Sequence, residues 1–356
     1  MKHFIKLFAV LGLTTTAFAK PVKPAATIHT YTADNAKLHY VGRIDFSNAQ
    51  KPRFWNPGVY MQARFEGTSV EVMLNDEVQY NKNHNYIEIA VDHRKPYRVQ
   101  TTSKNNLFKV SDLPAGTHVI TICKDTESGI GYLEMVGLKC EKLLPWKKTI
   151  KHKIEYIGDS ITCGTSSDLS TMPCGKGEWY DQHNAYMSYG PASARQLNAD
   201  WYLTSVSGIG LIHSCCDMDV VMPQVFDKVN LRLNQQTWDF SRYTPDVVTI
   251  CLGQNDGKQD SVAFCSAYVK FIKDIKSHYP KAAVVMLNSP MADEGLTAVL
   301  KKYILGVEMA FNKDSNVHHY FYSRRFHNGC GDHPDMAEHQ LMANEVAGYI
   351  KQLERW

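Results

Sequence analysis

Ile154-Glu155-Tyr156-Ile157-Gly158-Asp159-Ser160 is a short, mostly apolar run that stops at a glycine, an acid and a hydroxyl. Read as a buried strand followed by a sharp turn, it sets the rhythm of everything after it. Residues 201–206 repeat the pattern and end at Ser207-Gly208. Residues 247–252 end at Gly253-Gln254-Asn255-Asp256, and residues 282–287 end at Asn288-Ser289-Pro290. Residues 319–322 fit a fifth strand. Between them lie helical spacings: Val262, Cys265, Val269, Ile272 and Ile275, then Met342, Val346, Ile350 and Leu353. Strands alternating with helices predict an α/β domain with a parallel sheet flanked by helices. In such sheets ligands bind beyond the carboxyl ends of the strands, where all of these polar tails fall.

Upstream of this stretch the rhythm is different. Met61, Ala63 and Phe65 alternate with polar residues, as do Val70, Val72 and Leu74, and Ile87, Ile89 and Val91. Ile120 and Ile122 oppose Val119, Thr121 and Cys123. Short period-two segments separated by turn residues predict an all-β sandwich or jelly roll. Residues 143–153, with Pro145 and several lysines, read as a connection. The expected organisation is therefore a β-sandwich over residues 20–148 and an α/β domain over 149–356.

Residues 1–19 are set apart. Lys2 and Lys6 precede the apolar residues 7–13, and Ala17-Phe18-Ala19 follows, which is the pattern of a cleaved secretory leader. Its removal takes away two lysines and no acid, so the net charge of +3 becomes +1. No later stretch has the ~18 apolar residues of a membrane span. A soluble, exported protein, secreted or periplasmic and without a membrane anchor, is expected.

With 44% apolar and 21% charged residues the chain can bury a core. Its 39 basic residues nearly balance its 36 acidic ones, with no long basic run, so no nucleic-acid partner is expected. The nine cysteines are odd in number, which leaves at least one thiol outside any intrachain pair. No C-x-x-C pair exists, and His183, His318 and His319 lack ligand spacing, so neither a metal nor a cofactor is expected.

The strand ends carry the chemistry. Gly158 permits a turn tight enough to project the Ser160 hydroxyl into a cleft, and the loop that follows it is rich in Ser, Thr, Gly and Cys. This favours a nucleophile over a helix cap. Asn255 suits a turn on its own, but in the cleft its amide is able to donate to a developing oxyanion. The Gly208 N–H is free to approach a substrate closely. His333, in Gly331-Asp332-His333-Pro334, precedes the last helix and lies on the Ser160 edge, where a serine needs its base. His339, six residues on, is expected to cap charge or face solvent.

The order Gly-Asp-Ser-Ile, Gly208, Gly-x-Asn-Asp and His-Pro resembles the SGNH (GDSL-type) hydrolases. The stretches 55–58, 65–70, 189–197 and 207–210 sharpen the likeness to carbohydrate esterase family 2, whose members join a jelly roll to an SGNH domain. The resemblance implies a cofactor-independent serine esterase that releases acetate from acetylated plant polysaccharides, xylan or glucomannan, often at the 6-O position. It assigns Ser160 as nucleophile and His333 as base. The Ser160 N–H, the Gly208 N–H and the Asn255 amide become the oxyanion hole. Many SGNH hydrolases have an Asp three residues before the His, where this chain has Cys330, taken as a neutral thiol. Asp332 is the candidate orienting acid, and a Ser-His dyad held by a main-chain carbonyl is the preferred arrangement. Trp179, Tyr180 and Trp238 are candidate rim residues for an acetylated polysaccharide or oligosaccharide. Two other readings stand beside this one: a carbohydrate-binding protein without turnover, and an SGNH lipase or thioesterase.

Overall fold

The computed structural model describes residues 1, 27–147 and 150–356. The expected leader and the expected domain boundary at Lys148 fall outside the described residues.

The first half is antiparallel. Its strands are β1 (His29–Thr32), β2 (His39–Val41), β3 (Arg53–Phe54), β4 (Tyr60–Asp76), β5 (Tyr86–Val91), β6 (Tyr97–Gln100), β7 (Asn105–Val110), β8 (Gly116–Lys124) and β9 (Leu133–Leu144). The 17-residue β4 is common to both layers. Its first part pairs with β2 and β8, and its second part lies between β7 and β9. The register shifts between Glu66 and Val70, where Gly67 adopts φ +141°, a conformation that side chains disfavour. Met61, Ala63, Phe65, Val70, Val72, Leu74, Ile87, Ile89, Ile120 and Ile122 fill the space between the layers, as the alternation predicts. Tyr60, Ala90 and Cys123 point the other way and join the core of the second half.

That second half holds a five-stranded parallel sheet of β10 (His152–Gly158), β11 (Ala199–Ser205), β14 (Val247–Cys251), β15 (Ala283–Leu287) and β16 (Val317–Tyr320). The hairpin β12 (Lys228–Asn230) and β13 (Gln235–Thr237) lies outside it. The order is β11-β10-β14-β15-β16. From β10 the chain steps to β11 on one side and returns to β14 on the other, so a crevice opens between the ends of β10 and β14. Helices α2 (Tyr189–Gln196) and α6 (Met336–Glu354) cover one face. Helices α4 (Ser261–His278) and α5 (Glu294–Ala310) cover the other. The short α1 (Ser160–Cys163) and α3 (Met222–Val225) complete the set. The last strand begins two residues before the expected segment. In α4 the sheet-facing stripe is Phe264, Tyr268, Phe271, Ile272 and Ile275, while Val262 in the first turn is exposed.

The two halves share buried polar contacts. Arg43 Nη2 lies 2.9 Å from Glu155 Oε1, both fully buried. Tyr60 donates to Asp200 Oδ1 at 2.6 Å and its ring stacks on Trp201 with centroids 4.0 Å apart.

Candidate active site

Ser160 is the first residue of α1, directly beyond β10, and is buried. Asp159 caps that helix by accepting from the Ile161 N–H at 3.0 Å. Gly158 is dictated by space, because a Cβ there would sit 2.0 Å from Thr162 Oγ1. The serine is thereby carried on a tight strand-to-helix turn at the crevice.

His333 reaches Ser160 from the loop before α6. Its Nε2 lies 2.8 Å from Ser160 Oγ, and its Nδ1 lies 3.1 Å from the Cys330 carbonyl and 3.2 Å from that of Gly331. Carbonyls only accept, so Nδ1 carries the hydrogen in the neutral ring and Nε2 is left to accept from the serine hydroxyl. Burial holds the imidazole pKa below its ordinary value, against the opposing pull of those two carbonyls and of Asp332. A neutral ring with a free Nε2, touching a hydroxyl, is what general-base activation of a nucleophile needs.

The acid proposed from sequence sits elsewhere. The Asp332 carboxylate pairs with Arg325 at 3.6 Å and is largely exposed. Asp335 is the N-cap of α6, accepting from the Glu338 N–H at 2.8 Å. Cys330 is not a free thiol, because it is disulfide-bonded to Cys174. The His333 loop also lies along the segment after α1, with the Cys330 and Met336 N–H groups donating to the Ser166 and Ser167 carbonyls, each at 3.1 Å.

Gly208 follows β11 with φ +86°, and a Cβ there would meet Cys215 Sγ at 3.1 Å. Its carbonyl accepts from the Cys215 N–H at 2.8 Å, and its own N–H has no hydrogen-bond partner among the described residues. The Asn255 amide nitrogen donates to the Ile209 carbonyl at 2.9 Å and lies 3.4 Å from Asp159 Oδ2. One N–H of that amide is thus well held and the other only weakly occupied. Neighbouring Asp256 accepts from the N–H groups of Leu211, Ile212 and His213, fixing the loop that follows Gly208. Burial raises the Asp159 carboxyl pKa to about 7.

Of the expected rim residues, Trp179 alone is open. It is 51% exposed, its ring meets that of His183 at 4.9 Å, and it lines a groove of about 340 Å³ with Tyr80, Ser128, Arg232 and Leu233. Tyr180 is buried. Trp238 is buried too, tilted against Tyr202 and within 5.7 Å of the Arg43 guanidinium, in the packing between the halves. Aromatic character alone does not distinguish a rim residue from an interdomain one. His339 was expected at the surface but is fully buried and accepts from the Tyr189 N–H at 3.2 Å. Sequence reasoning missed Glu127, a fully buried acid of the sandwich that accepts from the Ser207 N–H at 2.8 Å, beside Gly208. Nothing in its local sequence, Asp125-Thr126-Glu127-Ser128, separates it from a solvated turn.

The fold, with Ser160 on a turn at the switch point of a parallel sheet, is that of a carboxylic ester hydrolase of the GDSL type. Residues 40–146 match the model of the carbohydrate esterase 2 N-terminal domain, and residues 156–313 that of the GDSL-like lipase/acylhydrolase family. The chain is 32% identical to a cellulase/esterase, CelE, of Acetivibrio thermocellus over 91% of its own length, and spans 40% of that larger protein. It is 25% identical to an acetylxylan esterase/glucomannan deacetylase of Cellvibrio japonicus, covering 98% of this chain and 99% of the relative. A solved family two carbohydrate esterase from Clostridium thermocellum, in complex with cellohexaose, superposes with a TM-score of 0.80 at 29% identity, over 90% of this chain and 99% of that one. The chain belongs to carbohydrate esterase family 2.

Among the described residues no helix is long and apolar enough to cross a membrane.

Proposed function

We propose that this protein is an exported serine esterase that removes O-acetyl groups from plant cell-wall polysaccharides, acetylated xylan or glucomannan, through an acetyl-Ser160 intermediate. The observation that carries the reading is the 2.8 Å contact of His333 Nε2 with Ser160 Oγ, with Nδ1 of the same ring on main-chain carbonyls. The Cellvibrio relative's name supplies the substrate class, and the cellohexaose bound by the Clostridium enzyme is in keeping with a β-linked glycan in the cleft. Export rests on the leader pattern of residues 1–19.

Ser160 Oγ attacks the acetyl carbonyl as His333 Nε2 takes its proton. The N–H groups of Ser160 and Gly208 and the amide of Asn255 donate to the oxyanion, each worth ~3 kcal/mol of barrier. The imidazolium then protonates the departing sugar oxygen, and water cleaves the acetyl-enzyme by the same route. With only carbonyl dipoles behind Nδ1, the imidazolium has no full negative charge in contact with it. Trp179, the exposed one of the three aromatic candidates, is the residue we propose to receive a sugar ring, and the 6-O position is the proposed site of deacetylation. The test is acetate release from acetylated xylan, glucomannan and cello-oligosaccharides, alongside octanoyl esters. Preference for octanoyl esters would favour the lipase reading, and oligosaccharide binding without acetate release would favour the binding module.

A further inference from the structure

We propose that Glu127, a residue of the β-sandwich, is a positioning residue for the oxyanion hole of the esterase half. This rests on the esterase reading above.

Three consecutive peptide groups set the direction of the Gly208 N–H. The peptide between Val206 and Ser207 presents the Ser207 N–H, which donates to Glu127 Oε2 at 2.8 Å. The peptide between Gly208 and Ile209 presents the Gly208 carbonyl, which accepts from the Cys215 N–H at 2.8 Å. Between them lies the peptide whose N–H belongs to Gly208, with no partner of its own among the described residues. Gly208 has the freedom of a positive φ and no side chain to brace it. The direction of its N–H is therefore set by how its two flanking peptides are held. One of those two holds comes from the other domain.

The main chain around Glu127 is held on several sides. Of its carboxylate oxygens, Oε2 takes the Ser207 N–H and Oε1 is buried without a hydrogen-bond partner among the described residues. Glu127 is fully buried, in the turn between β8 and β9. Its own carbonyl accepts from Lys124 Nζ at 3.1 Å, and Thr126 Oγ1 donates to Asn85 Oδ1 at 2.6 Å. One residue further back, Asp125 Oδ1 accepts from the Tyr186 N–H at 3.1 Å, docking this turn on the esterase half. A second contact ties the same region to the nucleophile's helix: the Ser207 hydroxyl lies 2.7 Å from Thr165 Oγ1, and the Thr165 N–H donates to the Ser160 carbonyl at 3.0 Å. The carboxylate is not among the groups placed to touch the ester. It acts on catalysis through the Ser207 backbone.

Two near-isosteric variants separate geometry from charge. Glu127→Gln keeps the side-chain length and an oxygen acceptor but removes the charge. Glu127→Asp keeps the charge and withdraws the acceptor by one methylene. With acetylated oligosaccharide as substrate, the Gln variant should keep kcat within about threefold of the parent, and the Asp variant should lose about tenfold or more in kcat with KM within about twofold. Affinity for a boronic acid that forms a tetrahedral adduct on Ser160 should fall in parallel with kcat, while binding of deacetylated product stays unchanged. The proposal is overturned if the Asp variant, folded by circular dichroism, keeps parental kcat, if the Gln variant is the more impaired, or if the loss lies in KM. A parent enzyme that releases no acetate, with a Ser160 that forms no adduct, would instead refute the esterase reading itself.

Discussion

Cys174 and Cys330 are joined by a disulfide that spans 156 positions of the chain, so the loop bearing His333 is tied to the loop that follows Ser160 and its helix. The carbonyl of the same Cys330 accepts from His333 Nδ1. Cys174→Ser should lower the unfolding free energy by about 2–5 kcal/mol, since cross-links across long loops constrain the unfolded chain most. The Cys330 N–H keeps its bond to Ser166, so kcat should fall by only about three- to tenfold. Thermal unfolding and initial rates, with and without reductant, check both.

The orientation of His333 by carbonyls leads to a second prediction. Asp332→Asn loses an exposed ion pair with Arg325, which contributes little to stability. Asp335→Asn leaves a residue that still caps α6. Each should cost less than about tenfold in kcat, whereas His333→Ala should cost more than about 10³-fold. A loss of about 10³-fold in either Asp variant, with the fold intact, would mean that the acid completes a triad.

The role proposed for Asn255 is to bind the transition state better than the ester. Asn255→Ala should lower kcat by about 10²- to 10³-fold with little change in KM. An effect confined to KM would assign the amide to sugar binding. Normal turnover with reduced thermal stability would leave it only its bond to the Ile209 carbonyl.

How much of this was legible in the sequence depends on the range of each interaction. Ser160, Gly208, Asn255 and His333 stand out because each interrupts an apolar run or flanks a helix, and a parallel sheet brings all strand ends to one edge. Met61, Phe65, Val72 and Ile120 were readable as core because a strand's faces alternate. Arg43 with Glu155, and Glu127 with Ser207, were not readable, because docking of the two halves pairs residues that look solvated in their local sequence. Trp238 failed for the same reason, since it is buried beside Arg43 of the other half, whereas His339 is buried within the second half, where α6 packs on Tyr189 of α2. The pairing of Cys174 with Cys330 was out of reach, since the connectivity of nine cysteines is not encoded in their spacing.

That docking has its own test. Arg43 and Glu155 are both fully buried, and Arg43 also donates to the Phe226 and Lys228 carbonyls. Arg43→Met strands a buried carboxylate and should destabilise the whole protein by about 3–5 kcal/mol. Residues 150–356 expressed alone should be insoluble or much less stable, because Trp201 would lose the stacked ring of Tyr60 and buried Glu155 its ion pair with Arg43. A soluble, fully active fragment would refute a buttressing role for the sandwich.

The last prediction concerns acid. His339 is fully buried, and burial lowers its pKa to about 3, with nearby His333 pulling the same way. A folded-state pKa below the unfolded value of about 6.5 means that the unfolded chain binds a proton first as the pH falls. The stability that neutral His339 contributes is complete above about pH 6.5 and is lost on the way down toward about pH 3, at about 1.4 kcal/mol per pH unit. His183, also fully buried with a pKa near 3, adds an equal slope. Buried carboxyls oppose them, Asp125, Glu127, Asp256, Asp159 and Glu88 among them. Burial raises Asp159 and Glu88 to about 7, so the folded protein holds their protons between about pH 4 and 7 while the unfolded chain does not. These carboxyls stabilise as the pH falls and offset the histidines, so the parent's total stability is a poor readout. The difference between parent and His339→Gln isolates one group. From pH 6.5 to 4.5 the parent should lose about 2.3 kcal/mol relative to the variant, by urea unfolding at half-unit steps. A difference that stays flat across this range would show that His339 titrates alike in both states, and that its burial in the folded chain does not exclude the proton.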